Sequence, residues 1–277
     1  MDSGDYRMSY EEPLTEHTVA ISISESSDMS VLGLSDEHLV DAMAEIARHL
    51  LAMGARLMYG GDLRPKGFTE VLFELVARYR RDASLGDDRL GVSDFLAWPV
   101  HISLTPEAVN RLSEELTGVG QVVYLTLDGD IMSTDQRQRL TPRIATDTEW
   151  VNGLTAMRNA MTKMSDARIV LGGKVENFKG RMPGIAEEAI LALRSGQPLF
   201  VLGGFGGCAR DISAHLGLVR TQVRTASWPG LSDFMEFRDR DLNNGLNYNE
   251  NEILATSVHV DQLITLILRG LFRQTTN

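Results

Sequence analysis

Two segments of the chain contain glycine pairs, and the first of them also carries charged side chains, a combination that can bind an anionic ligand. Residues 168–188 contain an apolar run that ends in Gly-Gly-Lys, a polar loop, and Pro-Gly-Ile-Ala-Glu-Glu at a helix start. Residues 198–208 read Pro-Leu-Phe-Val-Leu-Gly-Gly-Phe-Gly-Gly-Cys. Glycines let a ligand approach the backbone closely, and a helix N-terminus offers free N–H groups with partial positive charge. The pattern predicts a pocket for an anionic, nucleotide-like ligand at a strand-to-helix edge.

A third glycine pair, Gly60-Gly61, follows another predicted strand and precedes Asp62. We expect the three glycine clusters to meet at one sheet edge and cradle the ligand, although glycines can also serve only as tight turns. No cluster matches the dinucleotide fingerprint GxGxxG or a phosphate loop ending in Gly-Lys-Ser or Gly-Lys-Thr, which argues against an ordinary dehydrogenase or ATPase. The predicted cradle, including a serine at the end of the first strand, consists of Ser24, Gly60, Gly61, Asp62, Gly172, Gly173, Gly184, Gly203, Gly204, Phe205, Gly206 and Gly207.

Three basic side chains, Lys174, Lys179 and Arg181, lie between the Gly172-Gly173 pair and the next predicted helix. Basic groups near a helix N-terminus suit a phosphate or pyrophosphate, so we expect at least one of them to contact such a group. The alternative is a charged loop that is simply solvated.

Glu187 and Glu188 lie in the first turn of the predicted helix, where the helix dipole alone favours acids. The functional alternative is that one of them accepts hydrogen bonds from ribose hydroxyls or acts on a glycosidic bond. Arg158, in the preceding predicted helix, is either a surface residue or directed toward the ligand. We expect Cys208 to be a small buried side chain rather than a reactive thiol.

Strand and helix patterns alternate along the chain. This alternation predicts an α/β fold, a Rossmann-like open and mostly parallel sheet with helices on both faces. The predicted strands include residues 18–24, 56–59 and 122–127, and residues 95–104 read as extended. We expect a flexible leader over residues 1–16, a loop or lid over residues 128–146, and one domain over residues 17–277. That domain includes C-terminal helices at about residues 245–272.

The overall composition limits the possible functions. The 277 residues carry a net charge of −11, which argues against a broad nucleic-acid-binding surface. The one cysteine excludes an internal disulfide framework, and the histidines show no metal-ligand spacing. The polar start of the chain and the absence of a long apolar stretch predict a cytoplasmic protein with no membrane partner.

The motif residues resemble the SLOG superfamily, which joins the Lonely guy proteins with the Smf/DprA Rossmannoid domains. The Lonely guy motif PGGxGTxxE is preceded by a helix with a functional arginine. Leu171-Gly172-Gly173 stands at the position of PGG, and residues 184–188 stand at the position of GTxxE. The resemblance therefore implies that Glu188 is the family glutamate and Arg158 is the helical arginine.

The chain departs from the Lonely guy motif in two ways: residues 174–183 are inserted within it, and Ile185 replaces its threonine. The insertion and the second glycine cluster resemble SLOG domains associated with Sir2 and TIR immune effectors, and those related to TRPM channel N-termini. That branch implies binding of NAD-derived nucleotides such as ADP-ribose or cyclic ADP-ribose variants. It also implies a homo-oligomer and a separate effector protein.

Two functions follow from this resemblance. The first is a module that binds and senses a nucleotide-derived ligand through the glycine-rich turns and the basic loop. The alternative is a nucleotide N-glycosidic hydrolase of the phosphoribohydrolase type, which uses Glu188 and Arg158 as catalytic residues.

Overall fold

The computed structural model describes residues 12–61, 63, 67–82, 91–118, 120–219 and 227–275. Within these ranges, seven strands form one sheet: β1 (Thr18–Ser24), β2 (Arg56–Gly60), β3 (Val92–Leu96), β4 (Gly120–Leu125), β5 (Ile131–Met132), β6 (Ala167–Gly172) and β7 (Leu199–Leu202). The strand order is β5-β4-β3-β2-β1-β6-β7. Neighbouring strands are parallel except for the antiparallel pair β4 and β5. The predicted Rossmann-like, mostly parallel sheet is confirmed.

The described residues form helices α1 (Asp36–Ala52), α2 (Phe68–Asp82), α3 (Trp98–His101), α4 (Pro106–Glu115), α5 (Thr134–Gln138), α6 (Asp147–Met164), α7 (Gly184–Ser195), α8 (Gly207–His215), α9 (Tyr248–Thr256) and α10 (Val260–Thr275). Short 3-10 turns occupy Ser30–Leu32, Gly203–Phe205, Leu231–Glu236 and Asp239–Leu242. The two C-terminal helices lie close to their predicted positions. None of the described helices is long and apolar enough to cross a membrane.

Helices cover both faces of the sheet, and the alternation of side chains along β6 shows how. Successive strand residues point to opposite faces. Ile169 and Leu171 join the core beneath α1 and α10, whereas Val170 joins the core beneath α7 and α8. All six residues of β6 are buried, because helices pack on both of its sides. Arg168 therefore points to the same face as Val170.

Residues 12–16 pack against the fold, although the sequence predicted a flexible leader as far as residue 16. Leu14 is fully buried. Its backbone N–H donates a hydrogen bond to the Met53 carbonyl at 2.8 Å, just after α1 ends. One apolar side chain in a polar stretch thus ties this segment to the domain. The rest of the predicted leader, residues 1–11, lies outside the described residues.

Residues 128–146 contain β5 and α5, so the prediction of a loop or lid is wrong for part of this segment. Arg137 of α5 is fully buried and donates hydrogen bonds to His101 Nδ1 at 2.8 Å and to the Leu104 carbonyl at 2.9 Å. These contacts fix α5 against α3. The predicted extended stretch 95–104 also bends, because Pro99 favours the first turn of a helix after β3.

Candidate functional site

The sheet has a topological switch point between β1 and β6. From β1 the chain continues to β2 on one side, and it later returns to place β6 on the other side. Ligands of open α/β sheets bind in the crevice at the carboxyl ends of the strands at such a point. Ser24 and Gly172 are paired there at the ends of the two strands.

A cavity of about 410 Å3 lies beside this switch point, between the ends of β1 and β2, α6, and the start of α7. Its volume falls within the range of about 300–1,000 Å3 that is usual for small-molecule sites. Eight of the residues that the sequence singled out line it: Ser24, Gly60, Gly61, Arg158, Lys174, Lys179, Gly184 and Glu188.

The Gly172-Gly173 pair forms the turn that leads from β6 toward the cavity. Both residues have positive φ angles, 65° and 110°, which side chains rarely adopt. The Gly173 N–H donates to the Ser24 carbonyl at 2.9 Å, and the Lys174 N–H donates to Ser24 Oγ at 3.2 Å. The pair itself does not line the cavity. It places Lys174 there by fastening the turn to the end of β1.

A buried network of two arginines and two glutamates lies at one wall of the cavity and contributes two of its members to the lining. Arg158 on α6 forms an ion pair with Glu187 on α7, and its Nε lies 3.5 Å from Glu188 Oε1. Arg168 Nη1 donates to Glu188 Oε2 at 3.0 Å. Arg158 and Glu188 line the cavity, whereas Glu187 lies behind them and also accepts a hydrogen bond from Thr155.

Gly184 lets the Arg158 guanidinium approach the start of α7. A Cβ added at Gly184 would lie 2.7 Å from Arg158 Nη2. Any larger residue would push the guanidinium away from Glu187 and Glu188. This glycine is therefore explained by contact with a side chain of the same chain, in addition to its place in the cavity wall.

The three basic residues of the 174–183 loop have separate partners. Lys174 Nζ lies 2.9 Å from Glu25 Oε2. Lys179 Nζ lies 3.7 Å above the centre of the Trp150 ring. Arg181 donates to Asn152 Oδ1 at 3.3 Å and does not line the cavity. The two lysines of this loop are the basic groups that it brings to the site.

Three aromatic residues in the lining, Tyr59, Trp150 and Phe178, were missed by reasoning from the sequence. Trp150 reads as an ordinary amphipathic position near the start of α6. Phe178 is the only aromatic residue in an otherwise polar loop, and that isolation could have marked it as a binding residue. Together they give the cavity an aromatic surface beside the cations.

The second glycine cluster lies outside the cavity lining and packs against other parts of the chain. Cβ atoms added at Gly203 and Gly204 would lie 2.6 Å from the Ala255 carbonyl oxygen and 2.2 Å from that of Ser257. The C-terminal helical region thus covers the place expected for a ligand. None of the predicted residues in this cluster lines the cavity, namely Gly203, Gly204, Phe205, Gly206 and Gly207.

Of the other predicted residues, Gly60 and Gly61 line the cavity and Cys208 does not. A Cβ at Gly61 would lie 2.2 Å from Asp94 Oδ1, so close approach of a buried carboxylate explains that glycine. Asp62 lies outside the described residues. Cys208 is fully buried, as expected, and burial raises the pKa of its thiol well above the ordinary value, which disfavours the reactive thiolate.

Comparison with known proteins gives one family match. The family model described as SLOG cluster2 matches residues 13–250, which include every strand of the sheet and α1 to α8. No curated protein matches the chain. Because the family match covers most of the sequence and includes the whole site, the chain belongs to the SLOG cluster2 family.

Proposed function

We propose that the cavity binds a nucleotide-derived ligand, such as ADP-ribose or a cyclic ADP-ribose isomer, and that the protein senses this ligand. The observation that carries the proposal is the chemistry of the lining. Lysines suited to phosphate, a carboxylate suited to ribose hydroxyls and two aromatic rings suited to a base surround one cavity. Membership of the SLOG family supports a nucleotide-related ligand.

Lys174 and Lys179 are the groups that we assign to the phosphates. Lys174 is half exposed, and its pair with the partly exposed Glu25 is a surface ion pair. Such pairs contribute little to stability, so a phosphate with more than one negative charge can compete for the ammonium group. Gly184, at the N-terminus of α7, also lines the cavity and adds the partial positive charge of the helix.

Glu188 is the group that we assign to the ribose. A carboxylate is an acceptor with two oxygens, and vicinal hydroxyls supply two donors. Arg158 already contacts Glu187 and Glu188, so its positive charge is balanced within the protein. We therefore propose that Arg158 keeps Glu187 and Glu188 in place and orients the ligand. The two lysines neutralise the phosphate charge.

Trp150 and Phe178 are the groups that we assign to the base. Stacking of a base on an aromatic ring contributes about 1–3 kcal/mol. In the structure the Lys179 ammonium group lies over the Trp150 ring. A base that stacks on the Trp150 ring displaces the Lys179 ammonium group, which can then pair with a phosphate. Binding of the base and binding of the phosphate are therefore coupled.

The resemblance to SLOG domains associated with Sir2 and TIR effectors supports a signalling role for this binding. In that setting the nucleotide is a signal rather than a metabolite. A separate effector protein, or a change in homo-oligomerisation through α9 and α10, would read the bound state.

A thermal-shift series tests the proposal. Ligand that binds only the folded state raises the melting temperature by mass action. We expect ADP-ribose or a cyclic ADP-ribose isomer to raise it for the wild type and for Lys163→Ala, a control at an exposed lysine outside the cavity. The rise should be much smaller for Lys174→Ala. Equal rises in both variants, or none with any adenine nucleotide, would overturn the proposal.

A second candidate function is hydrolysis of a nucleotide N-glycosidic bond, because Glu188 and Arg158 line the cavity together. In this reaction the carbon–nitrogen bond at the ribose breaks, water supplies the new oxygen on that carbon, and the base leaves with a proton. Glu188 would stabilise the positive charge that develops on the ribose. Only contacts that are stronger in the transition state would accelerate the step.

Chromatography after long incubation with AMP or NAD distinguishes the two functions. Release of free base together with ribose phosphate or ADP-ribose, lost in Glu188→Gln, would establish the hydrolase. Intact nucleotide after incubation, together with a stable thermal shift, supports sensing.

A further inference from the structure

Arg168 is the most deeply buried charged group beside the cavity. It lies on β6, and the residue is 0% exposed. Burial lowers the pKa of its guanidinium below the ordinary value. Placing an arginine in the interior is costly unless its charge is paired and its N–H groups are hydrogen-bonded. A smaller apolar residue would fill a β-strand position at lower cost, so the partners of this arginine indicate its role.

Two of the three side-chain partners of Arg168 belong to the cavity wall, and the third is Thr162, whose Oγ1 lies 3.5 Å from Nη2. Arg168 Nη1 donates to Ser22 Oγ at 2.8 Å and to Glu188 Oε2 at 3.0 Å. Within the described part of the chain, Glu188 is the one carboxylate in ion-pair distance of Arg168. Ser22 and Glu188 line the cavity, and Arg168 does not. The arginine thus contacts two lining residues from behind.

Glu188 is held from two directions. Arg168 binds Oε2, whereas Arg158 lies 3.5 Å from Oε1 without a hydrogen bond from its Nε. A glutamate side chain has several rotatable bonds, and the closer contact fixes the carboxylate best. Without Arg168, only the longer contact to Arg158 would restrain Glu188.

We propose that Arg168 is a positioning residue that fixes the Glu188 carboxylate for hydrogen bonding to hydroxyl groups of the ligand. The inference rests on the proposed function, since it needs a ligand with hydroxyls in this cavity. Arg168 makes no ligand contact of its own. Its effect on binding therefore passes through Glu188 and concerns only the part of the ligand that Glu188 contacts.

A pair of ligands separates positioning from a general structural role. Calorimetry would compare adenosine 5′-monophosphate with 2′-deoxyadenosine 5′-monophosphate, which lacks one ribose hydroxyl. Loss of a hydrogen bond to a charged group typically weakens binding roughly tenfold or more. We expect the wild type to prefer the ribose form by about this factor. Damage to the fold in general would weaken binding of both nucleotides by the same factor.

The variants are Arg168→Met, which keeps much of the side-chain length without the charge, and Glu188→Gln. We expect each to reduce the preference to less than about threefold, mainly by weakening binding of the ribose form. Adding Arg168→Met to Glu188→Gln should change neither affinity further, because the arginine acts through the glutamate. Arg168→Lys, which keeps the charge, should restore part of the preference and serves as the second variant if Arg168→Met does not fold.

The outcomes are distinguishable. A wild-type preference that Glu188→Gln abolishes, but that the Arg168 variants retain, would overturn this inference and leave the proposed function intact. A further loss of affinity in the double variant would also overturn it. Equal binding of both nucleotides by the wild type would overturn this assignment alone, whereas absence of binding for both nucleotides and for ADP-ribose would overturn the proposed function and this assignment together.

Discussion

The Asp28 carboxylate accepts a hydrogen bond from the backbone N–H of Gly207 at 2.8 Å, where α8 begins. It also accepts a hydrogen bond from Ser26 at 2.5 Å and lies 3.2 Å from Arg210 Nη1. A helix N-terminus attracts anions through its free N–H groups and its dipole. At α8 the chain's own carboxylate takes this place, where the sequence suggested a ligand phosphate.

Replacing Asp28 should destabilise the fold without affecting the cavity. Loss of a side-chain cap at a helix N-terminus costs about 1 kcal/mol. We expect Asp28→Ala to lower the free energy of unfolding by about this amount in urea denaturation, and Asp28→Asn to lower it less. Nucleotide affinity should change by less than about twofold, since Asp28 does not line the cavity. A large loss of affinity in a stable Asp28→Ala protein would place the ligand at α8 instead.

Substitution at Gly184 should impair binding more than stability. Alanine suits the first turn of a helix, but its Cβ would lie 2.7 Å from Arg158 Nη2 and displace the guanidinium. We expect Gly184→Ala to weaken ADP-ribose binding about threefold by calorimetry, because the flexible Arg158 side chain can make room only by moving its guanidinium from its place beside Glu188. Ser195→Ala, at the exposed end of the same helix, is the matched control and should bind normally. Normal binding by Gly184→Ala would show that the position of Arg158 is unimportant.

Trp150 should stabilise binding through the base and not through the phosphate. Leucine keeps an apolar side chain but removes the ring on which a base can stack, and it also frees Lys179 from its contact with that ring. We expect Trp150→Leu to weaken binding of adenosine 5′-monophosphate about fivefold to tenfold without weakening binding of ribose 5-phosphate. Calorimetry with both compounds makes the comparison. An equal loss for both would argue against base stacking at this position.

His101 should make the fold sensitive to mild acid. Burial lowers its pKa from 6.5 to about 4, and its Nδ1 accepts a hydrogen bond from Arg137. The unfolded chain therefore takes up a proton at this residue below pH 6.5, and the folded protein does so only near pH 4. Stability falls as the pH decreases through that window.

The measurement is urea denaturation between pH 7 and pH 4 for the wild type, His101→Gln and the exposed control His259→Gln. The slope of unfolding free energy against pH should be smaller in His101→Gln, which cannot titrate at this position, than in the other two. Equal slopes in all three proteins would show that His101 is not held neutral.

The sequence was sufficient to predict a mostly parallel sheet and part of the cavity wall, but it did not predict β5. Short apolar runs give the main strands, and their alternation with helices indicates a parallel sheet. Arg158 and Glu188 were identified by resemblance, and both line the cavity. Contacts between distant residues were not accessible in this way. Asp28 and Gly207 are 179 positions apart, and Ser22 and Arg168 are 146 apart.

Glycines show why the sequence leaves part of the site ambiguous. A glycine gives room wherever a Cβ would meet a neighbour, whether that neighbour is a ligand or another part of the protein. Gly204 lies against the Ser257 backbone and Gly184 lies against a side chain at the cavity. The local pattern is similar in the two segments, and only the tertiary packing distinguishes them.

A crystal structure of the protein grown with ADP-ribose would show directly whether the cavity is the binding site. We expect ligand density in the cavity, with phosphate near Lys174 and Lys179, a ribose hydroxyl on Glu188, and the base at Trp150. Density for the ligand at the second glycine cluster, or an empty cavity in a crystal saturated with a nucleotide shown to bind in solution, would contradict this expectation.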